Sequence, residues 1–283
     1  MINADAVGET TEPRRHSWSA DDTLLYALAV GAGADELELT TENTDGVDLI
    51  AIPTFAAVLG GGAGELRSRL GSWAPGAVVH GTQFIEFDSP LTVSGDIEIV
   101  GRVAAVEDKG TGALVEIESR AVDAATGASL FTSTTGLFIR GEGGFGGSRS
   151  HGSSVLPKAG HDREPDLVLA ASTRTDQALL YRLCGDRNPL HSDPGFAKRA
   201  GFPRPILHGL CTWGITARVL GRAATDGDFS RIAAFGGRFR GPVLPGDELR
   251  IDAWRSSDAE IHFRVRVDDR VVIEAGLLRL ADR

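Results

Sequence analysis

Apolar and polar positions alternate along this chain in two kinds of pattern, helical first and strand-like after. Ser19-Ala20-Asp21-Asp22 sets a capping hydroxyl and first-turn acids ahead of Leu24-Leu25-Tyr26-Ala27-Leu28. That order predicts a helix, ended by Gly31-Ala32-Gly33. The polar residues 1–18 are expected to fray. Residues 37–40 and 47–52 read as short strands, and Pro53-Thr54-Phe55-Ala56-Ala57-Val58-Leu59 as a helix cut short by Gly60-Gly61-Gly62. From Val78 the pattern changes. Residues 82–87, 96–106, 113–122 and 129–139 are rich in Val, Ile, Thr and Phe with partial alternation, which predicts strands. Asp108-Lys109-Gly110-Thr111-Gly112 is a hairpin turn between two of them. Glycine and polar residues dominate 141–166, including Gly143-Gly144-Phe145-Gly146-Gly147, as in a connection between two halves.

The second half repeats the first. Leu24-Leu25-Tyr26-Ala27-Leu28 is answered by Leu179-Leu180-Tyr181-Arg182-Leu183, and Val79-His80-Gly81 by Leu207-His208-Gly209. The stretch from Pro90 to Gly95-Asp96-Ile97-Glu98-Ile99 is answered by Pro242 to Gly246-Asp247-Glu248-Leu249-Arg250-Ile251. Three matches in one order predict a duplicated unit, divided at 1–150 and 151–283. Ile206, Leu207, Leu210, Cys211, Trp213, Ile215, Val219 and Leu220 cover nearly every face of a helix, which must then be buried on most sides. A sheet curled round one such helix is a hot-dog. The predicted class is therefore α+β, a double hot-dog of two antiparallel sheets each wrapped round a helix, the first helix shortened. The break is expected to leave a slot in the first half for a long or bulky apolar substrate.

Bulk properties narrow the function. A net charge of −10 on 283 residues argues against nucleic-acid binding, which needs a basic footprint. Two cysteines, Cys184 and Cys211, in apolar surroundings suggest core residues in a reducing compartment rather than a disulfide or zinc framework. No apolar run is long enough to span a bilayer, and no secretory h-region or peroxisomal address is visible, so the expected location is the cytoplasm.

The candidate chemistry lies between Tyr181 and Gly209. Asp186, Asn188 and His191 fall within six residues on a turn punctuated by Gly185 and Pro189. An acid and an imidazole sharing one water can take a proton from it and deliver one to carbon. The same residues can also serve only to build the turn, with His191 a packing histidine, and spacing leaves both readings open. Gly209 opens the buried helix, where unpaired N–H groups and the positive dipole end can hold an oxygen gaining negative charge; close helix–sheet packing would equally call for glycine. His208 is expected to orient that turn. Aligned on the tyrosines, Asp186 corresponds to Gly31 and His191 to Glu36, so the first half lacks the pair. His16, His151, His161 and His262 receive no role.

At these residues the sequence resembles the hydratase 2, or MaoC-like, family of (R)-specific enoyl-CoA hydratases. The shared pattern is Tyr181-Arg182-Leu183-Cys184-Gly185-Asp186-Arg187-Asn188-Pro189-Leu190-His191-Ser192-Asp193-Pro194, with Ala197 beyond. It continues in the first half at Leu25-Tyr26-Ala27-Leu28, Pro53-Thr54-Phe55, His80-Gly81, Asp108-Lys109-Gly110 and 143–147. From about Trp18 onward the chain is similar to the two-repeat form found in the hydratase part of peroxisomal multifunctional enzyme type 2. The resemblance implies a homodimeric double hot-dog that adds water reversibly to a trans-2-enoyl-CoA, giving the (3R)-3-hydroxyacyl-CoA. It implies Asp186 and His191 as the acid–base pair, Asn188 as an orienting group and the Gly209 N–H as holder of the thioester oxygen. His80, Gly81, Lys109, Arg187, Pro189, Leu190 and Phe239 would line the acyl-CoA site, Lys109 suiting a phosphate and Phe239 an apolar chain or flat ring. No metal or redox cofactor is implied, because the thioester already acidifies the α-carbon. The acyl group is expected to be a medium, long or bulky one, such as a fatty acyl or sterol side chain. A hot-dog thioesterase and a non-catalytic acyl-CoA-binding module are the alternatives, and the Asp186-x-Asn188-Pro189-x-His191 pattern speaks against both.

Overall fold

The computed structural model describes residues 2–60, 63–74, 76–148, 155–158, 160 and 163–281. Its ten strands are β1 (Arg14–Trp18), β2 (Val78–Phe87), β3 (Gly95–Asp108), β4 (Gly112–Asp123), β5 (Ser129–Arg140), β6 (Leu167–Ser172), β7 (Ile232–Phe239), β8 (Glu248–Arg255), β9 (Glu260–Val267) and β10 (Arg270–Leu280). They form one sheet in the order β1-β3-β4-β5-β2-β7-β10-β9-β8-β6. Every ladder is antiparallel. Exchanging each of β1–β5 for its counterpart among β6–β10 reproduces that order from the other end. The internal duplication is therefore a pseudo-two-fold about the β2–β7 seam, where Thr82 pairs with Arg238 and Glu86 with Ala234.

The helices are α1 (Ala20–Ala29), α2 (Leu37–Thr40), α3 (Ala56–Leu59), α4 (Ala63–Leu70), α5 (Gln177–Tyr181), α6 (Pro194–Arg199) and α7 (Gly209–Thr225). The cap foreseen for α1 is complete: Ser19 Oγ accepts the Asp22 N–H at 3.3 Å, and Asp22 accepts the Ser19 N–H at 2.8 Å. Helix α7 is the axis of the second half. Trp213, Ile215 and Leu220 are at most 1% exposed, and Trp213 lies 5.1 Å from Phe235 of β7. Burying such side chains contributes about 1.5–3 kcal/mol apiece. Among the described residues the first half has no equivalent long helix. A 3-10 turn at Pro53–Phe55 leads into α3, Gly60 closes it with an N–H to Ala56 at 2.8 Å, and α4 starts anew at Ala63. Ala56 and Leu59 belong to the main core, whereas Leu66 and Leu70 form a second apolar cluster with Val103, Val115 and Ile139. The shortened first helix is thus divided between two cores, and Gly61 and Gly62 of the expected break lie outside the described residues, as do His151 and His161. This is the double hot-dog.

Three expectations give way. Residues 1–18 do not all fray: β1 pairs with β3 from Arg14–Ile99 to Trp18–Gly95, and Ile2 and Ala6 are buried beside Leu66 and Leu70. Their few apolar side chains find a ready surface, which polarity alone concealed. Leu37–Thr40 is helical, and 47–52 forms no strand. Leu39 and Ile52 are buried in the main core, so tertiary burial overrides strand propensity there. The Val79-His80-Gly81 match is not equivalent to Leu207-His208-Gly209. His80 lies in strand β2, while His208 immediately precedes helix α7.

Candidate active site

The acid–imidazole loop is built from its own turn chemistry. Gly185 has φ +128°, a conformation that L side chains rarely adopt, and it turns the chain out of the 3-10 segment Arg182–Cys184. Asp186 Oδ1 then accepts the Asn188 N–H at 3.0 Å, and Asn188 Oδ1 accepts the Leu190 N–H at 3.0 Å. Asn188 thereby caps the 3-10 turn Pro189–His191 that carries the histidine. Both the turn-building role and the delivery of the acid and the imidazole to one place hold together. Asp186, Arg187, Asn188 and Pro189 are exposed, Leu190 is half-buried and His191 is buried.

His191 Nδ1 bonds the Ile206 carbonyl at 2.8 Å. A carbonyl only accepts, so Nδ1 carries the hydrogen and the neutral ring presents its lone pair at Nε2. The His208 ring lies against the His191 ring, with centroids 3.7 Å apart and planes 26° from parallel. His208 Nε2 donates to the Asp186 carbonyl at 3.2 Å, and its ring lies 4.9 Å from that of Tyr181. The Asp186 carboxylate and one nitrogen of each histidine lie within 4.8 Å of one another. Two hydrogen bonds of about 2.8 Å through one water span that distance. The near-parallel rings hold their lone pairs in separate layers, which suits a bridging water better than convergence on one metal ion.

Helix α7 begins beside this cluster; the N–H groups of Cys211 and Thr212 donate back to the His208 carbonyl at 3.1 Å, which leaves those of Gly209 and Leu210 as the first-turn donors without a backbone partner among the described residues. A Cβ on Gly209 would come 3.3 Å from the Phe239 ring. Phe239, at the end of β7, meets His80 of β2 edge-on at 5.0 Å. His80 Nε2 lies 3.1 Å from both Thr82 O and Gln83 Oε1, and Gly81 sits at a bulge in the β2–β5 ladder. The first half thus brings His80 and Gly81 to the same end of the seam as Phe239.

Burial sets the electrostatics. Loss of water around the ring pushes His191 below the usual histidine value, against the pull of its bond to Ile206 and the charge of Asp186. The same loss, together with the neighbouring charge of His191, takes His208 down to about 4. His80 falls to about 4 mainly through burial, although Gln83, Thr82 and the charge of Asp186 oppose it. All three rings are neutral at pH 7.

Lys109 occupies the β3–β4 turn, with Nζ 2.6 Å from Glu107 Oε2. Beside it the Asp108 carboxylate accepts the N–H groups of Gly110, Gly144 and Gly146, each at 2.8 Å. The glycine run 143–147 is therefore pinned to the hairpin by a carboxylate of its own chain. The structure joins Asp186, Asn188, His191, Gly209, Phe239 and His80 at one site, while Lys109 is held on a separate turn. His208, expected to orient the turn before α7, also stacks on His191 and reaches the Asp186 carbonyl, contacts that no local pattern announces. Its only signal was its place directly before Gly209.

Two family models match the chain: a MaoC like domain over residues 158–275, and the MFE-2 hydratase 2 N-terminal domain over residues 16–141. The chain is 42% identical to 3-hydroxyacyl-thioester dehydratase Y of Mycobacterium tuberculosis, over 97% of both chains. It is 36% identical to the peroxisomal enoyl-CoA hydratase 2 of Arabidopsis thaliana, covering 90% of this chain and 87% of that one. Among solved structures, the MaoC-like dehydratase from Phytophthora capsici superimposes with a TM-score of 0.88 at 27% identity, covering 99% of this chain and 98% of that one.

Proposed function

The chain belongs to the MaoC-like, hydratase 2 family, and from that premise we propose that it reversibly hydrates trans-2-enoyl-CoA to (3R)-3-hydroxyacyl-CoA. One observation carries the reading to the atoms. His191 holds its Nδ1 hydrogen on the Ile206 carbonyl, which leaves Nε2 as its base, and a ring nitrogen of His191 lies within 4.8 Å of the Asp186 carboxylate, a span that one water bridges. The thioester oxygen rests at the Gly209 N–H, which draws electrons from the double bond toward that oxygen. His191 Nε2 takes a proton from the water as the water oxygen bonds to C3, and Asp186 stabilises the imidazolium. The displaced electron pair forms the thioester enolate, and C2 then takes a proton back from the pair. The net result is hydroxyl on C3 and hydrogen on C2, with the enzyme unchanged and no cofactor consumed. In the dehydration direction each step reverses.

The second half supplies this chemistry, and the first supplies His80, Gly81 and the divided helix α3–α4, where the sequence calls for a slot. That division favours medium, long or bulky acyl groups, a fatty acyl or a sterol side chain among them, over a C4 unit. Lys109, held by Glu107, would meet a CoA phosphate only from its separate turn, and Arg187, Pro189 and Leu190 form the outer lip of the site. The absence among the described residues of a helix long and apolar enough to cross a membrane fits a cytoplasmic enzyme. The homodimer implied by the family is checked by light scattering.

Incubation with crotonyl-CoA tests the reaction. Absorbance of the conjugated thioester should fall while free thiol stays absent. Thiol release without hydration would replace this reading with a thioesterase. A chain-length series of kcat/KM tests the acyl preference, which a maximum at C4 would overturn.

A further inference from the structure

His208 is 2% exposed, and its Nδ1 is buried without a hydrogen-bond partner among the described residues. A residue present only for packing gains nothing from such an atom, since a leucine or phenylalanine would fill the space without an unmatched acceptor. Its ring nevertheless touches three parts of the site. It covers one face of His191 at 3.7 Å, donates to the Asp186 carbonyl at 3.2 Å, and directly precedes Gly209.

We propose that His208 is a positioning residue of the water-adding site: its ring keeps His191 dry and uncharged, and its Nε2–H ties the acid-bearing loop to the start of α7. The proposal rests on Asp186 and His191 being the reacting pair. A covered imidazole cannot hydrate its cation on the covered face, so it holds a proton only briefly. The two rings are stacked face to face, their bonded nitrogens turned to the Ile206 and Asp186 carbonyls, and no hydrogen bond joins them, so a proton taken by His191 has no direct route to its neighbour. It returns instead to the substrate carbon. Other groups act on the pair: Asp186 from the loop favours the charged rings, while Arg182 from the turn after α5 disfavours a charged His208. Tyr181 of α5 contributes a ring whose burial keeps its hydroxyl neutral. His80 of β2, which also feels the charge of Asp186, is itself neutral. Burial is the leading cause of the lowered proton affinity of both rings, and each ring supplies part of that burial to the other.

The test is an NMR titration of the labelled histidine rings, run beside the pH profile of kcat/KM for enoyl-CoA hydration. In the unaltered enzyme His191 should titrate below about 6.5, the ordinary histidine value, and before His208. His208→Phe keeps the cover and loses the tie, so the His191 midpoint should stay low while kcat falls severalfold. His208→Ser removes the cover, so the midpoint and the acid limb of kcat/KM should both move up toward about 6.5. An unchanged His191 midpoint in His208→Ser overturns the proposal. So does protonation of His208 ahead of His191 in the unaltered enzyme, a reading available even if His208→Ser does not fold. The titration does not depend on turnover. Midpoints that behave as expected in a protein inactive toward every enoyl-CoA would sink the reaction and leave the ring pair standing. Hydration with immobile midpoints would sink the ring pair alone.

Discussion

Glu36 of the first half is ion-paired to Arg218 in the middle of α7, with side-chain exposures of 6% and 13%. Arg218 also donates to the Val30 carbonyl at 3.0 Å, and Arg222, one turn on, pairs with Glu38. By the internal duplication Glu36 stands where His191 stands in the second half. The half without the acid–imidazole pair therefore uses that position to grip the central helix of the half that has it. Removing one partner strands a buried charge, so Glu36→Ala should cost about 3–5 kcal/mol in urea unfolding. A loss under about 1 kcal/mol would mean that water reaches the pair freely.

Asp186→Asn and His191→Ala should each lower kcat by about 100- to 10,000-fold, the usual range for a proton-transfer group. Asp186 is exposed, and among the described residues its carboxylate takes one hydrogen bond, from the Asn188 N–H, which an amide oxygen can still accept. The unfolding midpoint of Asp186→Asn should accordingly stay close to that of the unaltered protein, whereas His191→Ala empties a buried place and should lower it. Retained turnover in either variant would remove that residue from the mechanism.

Gly209→Ala probes the start of α7. The added Cβ would sit 3.3 Å from the Phe239 ring, tight enough that the ring must give by a few tenths of an ångström. Thermal stability should change little, since alanine suits a helix better than glycine does. Turnover should fall about tenfold or more, because a small displacement of the thioester oxygen weakens catalysis steeply. Gly209→Ala combined with Phe239→Leu should recover part of it. A double variant no faster than the single one would show that the ring is not what the methyl displaces.

Where a local pattern decides the outcome, the chain was legible. The capping box at Ser19, the four strands after Val78 and the turn at Asp108 all formed where local chemistry called for them. The duplication and the all-round apolar helix were enough to place the second-half core. Elements decided by distant partners were hidden: β1 exists because β3 offers it an edge, and Leu37–Thr40 is helical because Leu39 enters the core. The same holds in the site. Asp186, Asn188 and His191 lie within six residues and could be read together, while the His191–His208 stack joins positions seventeen apart and only the folded chain brings it about. The repeated His-Gly dipeptide misled because one copy starts a helix and the other lies in a strand.

Asp108 offers a test of the glycine run. Its carboxylate takes three backbone N–H groups, from Gly110, Gly144 and Gly146. Hydrogen bonds to a charged group are worth about 1.5–3 kcal/mol. Asp108→Ala should therefore speed amide exchange at Gly144 and Gly146 by at least about tenfold, with the strands unaffected. Equal exchange rates would mean that the run is held by something else.

Acid should loosen the fold through its neutral histidines before it reaches the carboxylates. His80 and His208 sit at about 4 in the folded protein. In the unfolded chain they return to about 6.5. As pH falls below that value the unfolded state binds protons that the folded state refuses. The stability they supply is complete above about 6.5 and is lost progressively as pH falls toward about 4. His191, shifted the same way, adds to the loss. Each histidine contributes at most about 1.4 kcal/mol per pH unit, less for the half-buried His80 than for His208. Asp166, held at about 2 by Arg163, acts only at lower pH and leaves this window to the histidines. Urea unfolding at pH 7, 6, 5 and 4.5 should show stability dropping across the series. His80→Gln should flatten that slope, and an equal slope in the variant would mean that His80 takes up its proton as readily folded as unfolded.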